Sequence, residues 1–143
     1  MVFNRIRESL DTHQSDEQFG FQRKRSTADA LIVAESMVGQ SLEFNTDLWL
    51  VSVDLRKAFD RVEHRGLFNA LERQGLPACY IKFLRTIYER QSGVVGDDFR
   101  FPISRGVRQG DVLSPLLFNC VLEDIIREWK RKLCDHGNFD MRH

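Results

Sequence analysis

A chain of 143 residues, 42% of them hydrophobic, makes one domain at most, with enough apolar material for a modest core and too much for disorder. Its formal net charge is zero, so nothing global argues for a nucleic-acid partner, and no apolar run approaches the roughly 18 to 20 residues of a membrane span. Three scattered cysteines, Cys79, Cys120 and Cys134, are odd in number and make no Cys-x-x-Cys pair, so neither a disulfide framework nor a zinc site is indicated. The opening Met-Val-Phe-Asn-Arg lacks a secretory signal's long apolar stretch, so the expected compartment is intracellular, nucleus or cytoplasm being left open.

In chain order, Phe3, Ile6 and Leu10 are apolar at helical spacing and predict a short amphipathic helix. Residues 16 to 25 read as an extended or looped segment, with Gly20 between Phe19 and Phe21 as anchors and the cations Arg23, Lys24 and Arg25 at its end. Basic residues beside aromatics suit phosphates and bases, although a solvated loop is the simpler reading. Ser26-Thr-Ala-Asp29 has the form of a capping box opening a helix through about Leu42, whose stripe of Leu31, Ala34, Val38 and Leu42 is expected in the core.

Leu48 to Val53 is a run of branched and aromatic residues that predicts a buried strand ending at a carboxylate, Asp54. A carboxylate at a strand end can hold a metal ion, and Asp54 has no local structural task. Asp60, by contrast, can cap a first helical turn, with Glu63 completing a capping box. Arg65 to Gln74 then reads as a helix closed by Gly75, and Pro77 to Gln91 as a second one with Tyr80, Phe83, Leu84, Ile87 and Tyr88 on its apolar face. Ser92 to Ser104 predicts a hairpin turning at Gly96-Asp97-Asp98, with Pro102 on an edge strand. Arg105 to Leu113 is a glycine-punctuated loop, able to bring backbone N–H groups close to a substrate at Gly106 and Gly110. Ser114-Pro115 opens a long helix to about Leu133, with Phe118, Leu122, Ile125, Trp129 and Leu133 as its stripe.

Three blocks in this order carry a resemblance: Gln18-Phe-Gly-Phe21 with Arg25-Ser-Thr27, then Val53 to Val62 (Val-Asp-Leu-Arg-Lys-Ala-Phe-Asp-Arg-Val), then Arg105 to Asn119 (Arg-Gly-Val-Arg-Gln-Gly-Asp-Val-Leu-Ser-Pro-Leu-Leu-Phe-Asn). Over about residues 5 to 130 the chain resembles the reverse transcriptases of non-LTR (LINE-like) retrotransposons, with group II intron reverse transcriptases as the alternative source. The resemblance implies an α+β fold, the fingers and the beginning of the palm of a right-hand polymerase, with helices packed on a small, mostly antiparallel sheet. It also implies an RNA template, a DNA primer and deoxynucleotides as partners, no membrane, and two Mg2+ ions in the complete enzyme.

Residue by residue, Asp54 matches the family's first metal-binding aspartate, and the carbonyl of Leu55 is expected as a further ligand. Phe59 matches the aromatic that packs under the incoming sugar and excludes a 2′ hydroxyl. Gln109 and Gly110 match the pair lining the nucleotide pocket, with Arg105 and Arg108 expected near phosphates. The arginine usual after Gly-Phe is Gln22 here, which leaves its phosphate contact to Lys24 or Arg25. The family's remaining carboxylates lie on a later aromatic-x-Asp-Asp hairpin, and no such sequence follows the Ser114 helix before His143. Gly96-Asp97-Asp98 precedes the Gln109 block, the wrong order, and reads as a surface turn. The expectation is therefore a partial reverse transcriptase domain over residues 1–143, without the downstream hairpin and thumb, inactive alone and prone to self-association. The alternatives are a retained RNA-binding module or half of a split polymerase completed in trans by a missing C-terminal half.

Overall fold

The computed structural model describes residues 2–96, 99–108 and 110–135. In chain order its elements are α1 (Val2–Asp11), α2 (Thr27–Phe44), a 3₁₀ turn (Phe59–Arg61), α3 (His64–Arg73), α4 (Ala78–Glu89), β1 (Ser92–Val95), β2 (Phe99–Pro102) and α5 (Ser114–Asp135). Five helices with one antiparallel two-stranded sheet make the class α+β. None of the described helices is long and apolar enough to cross a membrane. The chain divides into two compact units, Met1–Ser15 with Lys57–His143, and Asp16–Arg56.

In the first unit α3 packs against α4 and α5, and α1 packs against α5. Ile6 and Leu10, one helical turn apart on α1, are fully buried with Leu67, Phe68 and Leu71 of α3, Ile81, Leu84 and Tyr88 of α4, and Leu116, Leu117 and Cys120 of α5. Polar ties lock the same contacts. The Gln74 side-chain amide donates to the Cys120 carbonyl at 2.8 Å, and the Arg85 guanidinium lies 4.5 Å from the Phe68 ring centre while pairing with Glu72. Glu123, fully buried on α5, accepts from the Ser15 N–H and hydroxyl at 3.1 and 3.0 Å and pairs with Arg127 at 2.6 Å, which stitches the chain after α1 to α5. Burial pushes the Glu123 carboxyl up, but the Arg127 and Ser15 bonds together outweigh it and hold the group below the usual range.

The expected closure of α3 is present: Gly75 takes a left-handed φ of 70°, its N–H reaches the Glu72 carbonyl, and the Leu76 N–H reaches Leu71, a Schellman motif. The hairpin also forms, pairing Ser92 with Pro102 and Val95 with Phe99; the Asp97-Asp98 turn lies outside the described residues. Two apolar faces differ from expectation. On α4, Ile81 is buried and Phe83 exposed. On α5 the buried face is Leu116, Leu117, Cys120 and Glu123, while Ile125 and Trp129 stand exposed, so burial is confined to the first half of the helix.

The second unit is built on α2. Its start is the expected capping box: the Ser26 hydroxyl accepts from the Asp29 N–H, and the Asp29 carboxylate accepts from the Ser26 N–H at 2.7 Å. The Ser26 hydroxyl, donating to the Asp29 carboxylate at 2.8 Å, and then the Ser26 N–H hold that carboxyl below the usual range. Asn45 ends the helix in the left-handed region at φ 50°. The expected core stripe is not core, since no α2 residue is buried and Leu31, Val38 and Leu42 are exposed. Nor is Leu48 to Val53 a buried strand: the segment forms no ladder and Trp49, Val51 and Val53 are exposed. A strand takes its hydrogen bonds from neighbours, and among the described residues none pairs with this run.

Candidate functional site

The candidate residues fall in both units. In the second, the loop before α2 is organised by Arg25, whose guanidinium pairs with the Asp16 carboxylate at 2.6 Å, donates to the Asp16 and Gln18 carbonyls and lies 5.5 Å from the Phe19 ring centre. Arg25 is thereby engaged in shaping its own loop. Lys24 is exposed at a left-handed φ of 60°. Phe19 is the anchoring aromatic of the pair, and Phe21 is 58% exposed. Asp54 and Leu55 lie exposed in the extended run after α2. Among the described residues no group of three or more His, Cys, Asp or Glu side chains could hold a metal ion. One carboxylate and one carbonyl fall short of the hard-oxygen shell of a two-magnesium centre, so the described residues do not by themselves fit that group.

In the first unit, two sequence-distant segments are zipped together. The Val107 N–H donates to the Phe59 carbonyl at 2.9 Å and the Gly106 N–H to the Val62 carbonyl at 2.8 Å, while the His64 N–H reaches the Ser104 carbonyl at 3.5 Å. Glu63 and Arg105 form an isolated antiparallel bridge, and their side chains pair at 3.1 Å. Gly106 is required for this approach. It adopts φ 91°, and an added Cβ would stand 3.3 Å from the Asp60 carbonyl oxygen. The expected Asp60–Glu63 capping box is absent, because the chain after Lys57, at φ 53°, curls into the 3₁₀ turn and α3 begins only at His64, freeing Glu63 to meet Arg105.

The zip brings Phe59 and Gly110 to the wall of one cavity of about 390 Å³, completed by Asp111, Val112, Ser114 and Pro115. The Phe59 ring is fixed by stacking on Phe118, with centres 4.7 Å apart and planes 20° from parallel. The loop past Gly110 is held by its own bonds: the Ser114 hydroxyl donates to the Arg108 carbonyl, and the Leu113 N–H to the Asp111 carboxylate at 3.0 Å. Burial pushes the Tyr88 hydroxyl pKa up, with the Ser114 hydroxyl pulling the other way. The Arg108 residue is exposed, Arg105 is committed to Glu63, and Gln109 lies outside the described residues. Residues 111, 112, 114 and 115 were not singled out as cavity-lining from the sequence, although Ser114-Pro115 was legible as a helix start.

Residues 1–140 match the family model described as reverse transcriptase (RNA-dependent DNA polymerase). The chain is similar to the Retrovirus-related Pol polyprotein from type-1 retrotransposable element R2 of Nasonia vitripennis, with 36% identity over 133 residues, covering 89% of this chain and 13% of that protein. It is 30% identical over 114 residues to the type-2 R2DM polyprotein of Drosophila melanogaster, covering 77% of this chain and 11% of that protein. Similarity to the RNA-directed DNA polymerase from mobile element jockey of the same fly is 28% over 130 residues, or 87% of this chain and 14% of the relative. The chain thus spans little more than a tenth of the length of these relatives.

Proposed function

This chain belongs to the reverse transcriptase family, with relatives among non-LTR retrotransposon polymerases, and from that premise we propose that it is the part of an RNA-directed DNA polymerase that receives the incoming deoxynucleotide. The observation that carries this reading is the cavity shared by Phe59 and Gly110, two residues about a third of the chain apart that the family pattern assigns to one pocket. In it, the ring of Phe59, stacked on Phe118, closes the space beside a sugar's 2′ position and so rejects ribonucleotides by exclusion. The backbone at Gly110 offers close approach to the base or phosphates without a side chain in the way. RNA template, DNA primer and deoxynucleotides are the partners on this reading, and the compartment is intracellular.

Asp54, with the Leu55 carbonyl, is the carboxylate end of a magnesium site whose other ligands are not among the described residues; magnesium would supply the charge neutralisation that phosphoryl transfer needs. The 143-residue chain accordingly does not extend a primer alone. Retention as an RNA-binding module through residues 23 to 25 is the weaker reading, since Arg25 is already paired with Asp16. The test is a chimera in which the downstream part of a retroelement polymerase completes this segment. Asp54→Ala abolishes primer extension there, whereas Phe59→Ala keeps deoxynucleotide incorporation and admits ribonucleotides. Activity that survives Asp54→Ala, or unchanged sugar selectivity in Phe59→Ala, overturns the assignment. Extension by the 143-residue chain alone, lost in Asp54→Asn, overturns its inactivity.

A further inference from the structure

The two walls of the cavity come from segments that are far apart in sequence, and their relative position depends on how firmly residues 59–64 hold residues 104–107. Three of the ties are backbone bonds, from Gly106 to Val62, from Val107 to Phe59 and, longer at 3.5 Å, from His64 to Ser104. The Glu63–Arg105 ion pair has both side chains about two-thirds exposed and therefore contributes little. A further tie is made by a part-buried side chain. The Nε2 of His64 lies 3.0 Å from the Gly106 carbonyl oxygen. A carbonyl only accepts, so His64 donates through Nε2–H. Its ring is held for this by an edge-on contact with Tyr88, centres 5.0 Å apart at 80°, and Tyr88 is in turn buried edge-on against Phe68 of α3.

This chain of contacts runs from the α3–α4 core through a fixed imidazole to the glycine at the start of the loop that ends in Gly110. We propose that His64 is a positioning residue, whose Nε2–H fixes the Gly106 carbonyl and so sets the spacing of the Gly110 loop from the Phe59 turn. The ring also caps Tyr88, but packing by itself would be served equally well by phenylalanine. The donor is what histidine adds. That the spacing matters for a nucleotide rests on the function proposed above; that His64 sets it does not.

The experiment uses the 143-residue chain, isotope-labelled for amide hydrogen exchange, as wild type, His64→Phe, His64→Ala and His64→Gln. His64→Phe keeps a ring on Tyr88 and removes the donor, whereas glutamine places an amide N–H near the Nε2 position. Exchange at Gly106 and Val107 is expected to be roughly five- to tenfold faster in the Phe and Ala variants and near wild type in the Gln variant. Leu67 and Leu117, whose N–H groups lie in α3 and α5, report whether the core stays folded. Unchanged exchange at Gly106 and Val107 in His64→Phe overturns the proposal. So does a loss that glutamine fails to restore, or one matched at Leu67 and Leu117. A second arm titrates deoxythymidine triphosphate with magnesium and follows the Gly110 and Val112 amides. Shifts in wild type that weaken in His64→Phe and return in His64→Gln extend the role to the nucleotide. If exchange behaves as expected but wild type shows no shift, the positioning stands and the nucleotide reading of the cavity fails.

Discussion

Helices α2 and α5 have comparable lengths, 18 and 22 residues, and both carry apolar side chains along their length, yet α5 is anchored in a core and α2 buries nothing. Helix α5 meets α1 and α3, hides Leu116, Leu117 and Cys120, and is stitched at Glu123 and at the Cys120 carbonyl. The Cys120 thiol is so enclosed that burial pushes its pKa up to about 12, which makes it inert. Helix α2 stands on its own ends, the Ser26–Asp29 box at one and Asn45 at the other. Local capping is sufficient to define where a helix starts and stops, whereas burial requires a partner surface.

The largest effect that sharpens this contrast is cavity formation. Leu117→Ala is expected to cost about 2–5 kcal/mol in urea unfolding of the α3–α5 core, while Leu31→Ala on α2 stays within about 0.5 kcal/mol. Equal costs would mean that α2 is packed after all. Next comes the stitch: Glu123→Gln, which weakens the Arg127 pair and the Ser15 bonds, is expected to cost about 1–3 kcal/mol. The Glu123 carboxyl is held below its ordinary value in the fold, so its contribution is full above the unfolded pKa and disappears as pH falls through the lower folded value. Melting temperatures from pH 6 to pH 3 check this, wild type losing a component of stability on acidification that Glu123→Gln never has. The smallest effect belongs to the cap. Ser26→Ala is expected to cost α2 about 1 kcal/mol, seen as faster amide exchange at Ala30 and Leu31 with the core transition unmoved. A shifted core transition would tie α2's stability to the rest.

The candidate site divides along similar lines. Phe59 and Gly110 were legible as chemistry-bearing positions through the family pattern, and Gly106 as a residue whose lack of a side chain serves close approach. What could not be read was their support. Glu63 has the sequence context of a capping-box partner and turns out to pair with Arg105, because the 3₁₀ turn moves the start of α3 to His64. His64 carries no signal in its own neighbourhood; its acceptor lies 42 residues away.

Sequence alone determined what is decided within a few residues: the start of α2 at Ser26, the end of α3 at Gly75, the hairpin arms around residue 97 and the start of α5 at Ser114. Those features rest on bonds between near neighbours, so periodicity and caps reveal them. Tertiary structure decided which apolar faces are buried, why Leu48 to Val53 forms no strand, and how the Phe59 turn meets the Gly106 loop. Each of these depends on a surface or a carbonyl supplied from a distant part of the chain, and periodicity along one helix or strand carries no record of what will stand opposite it.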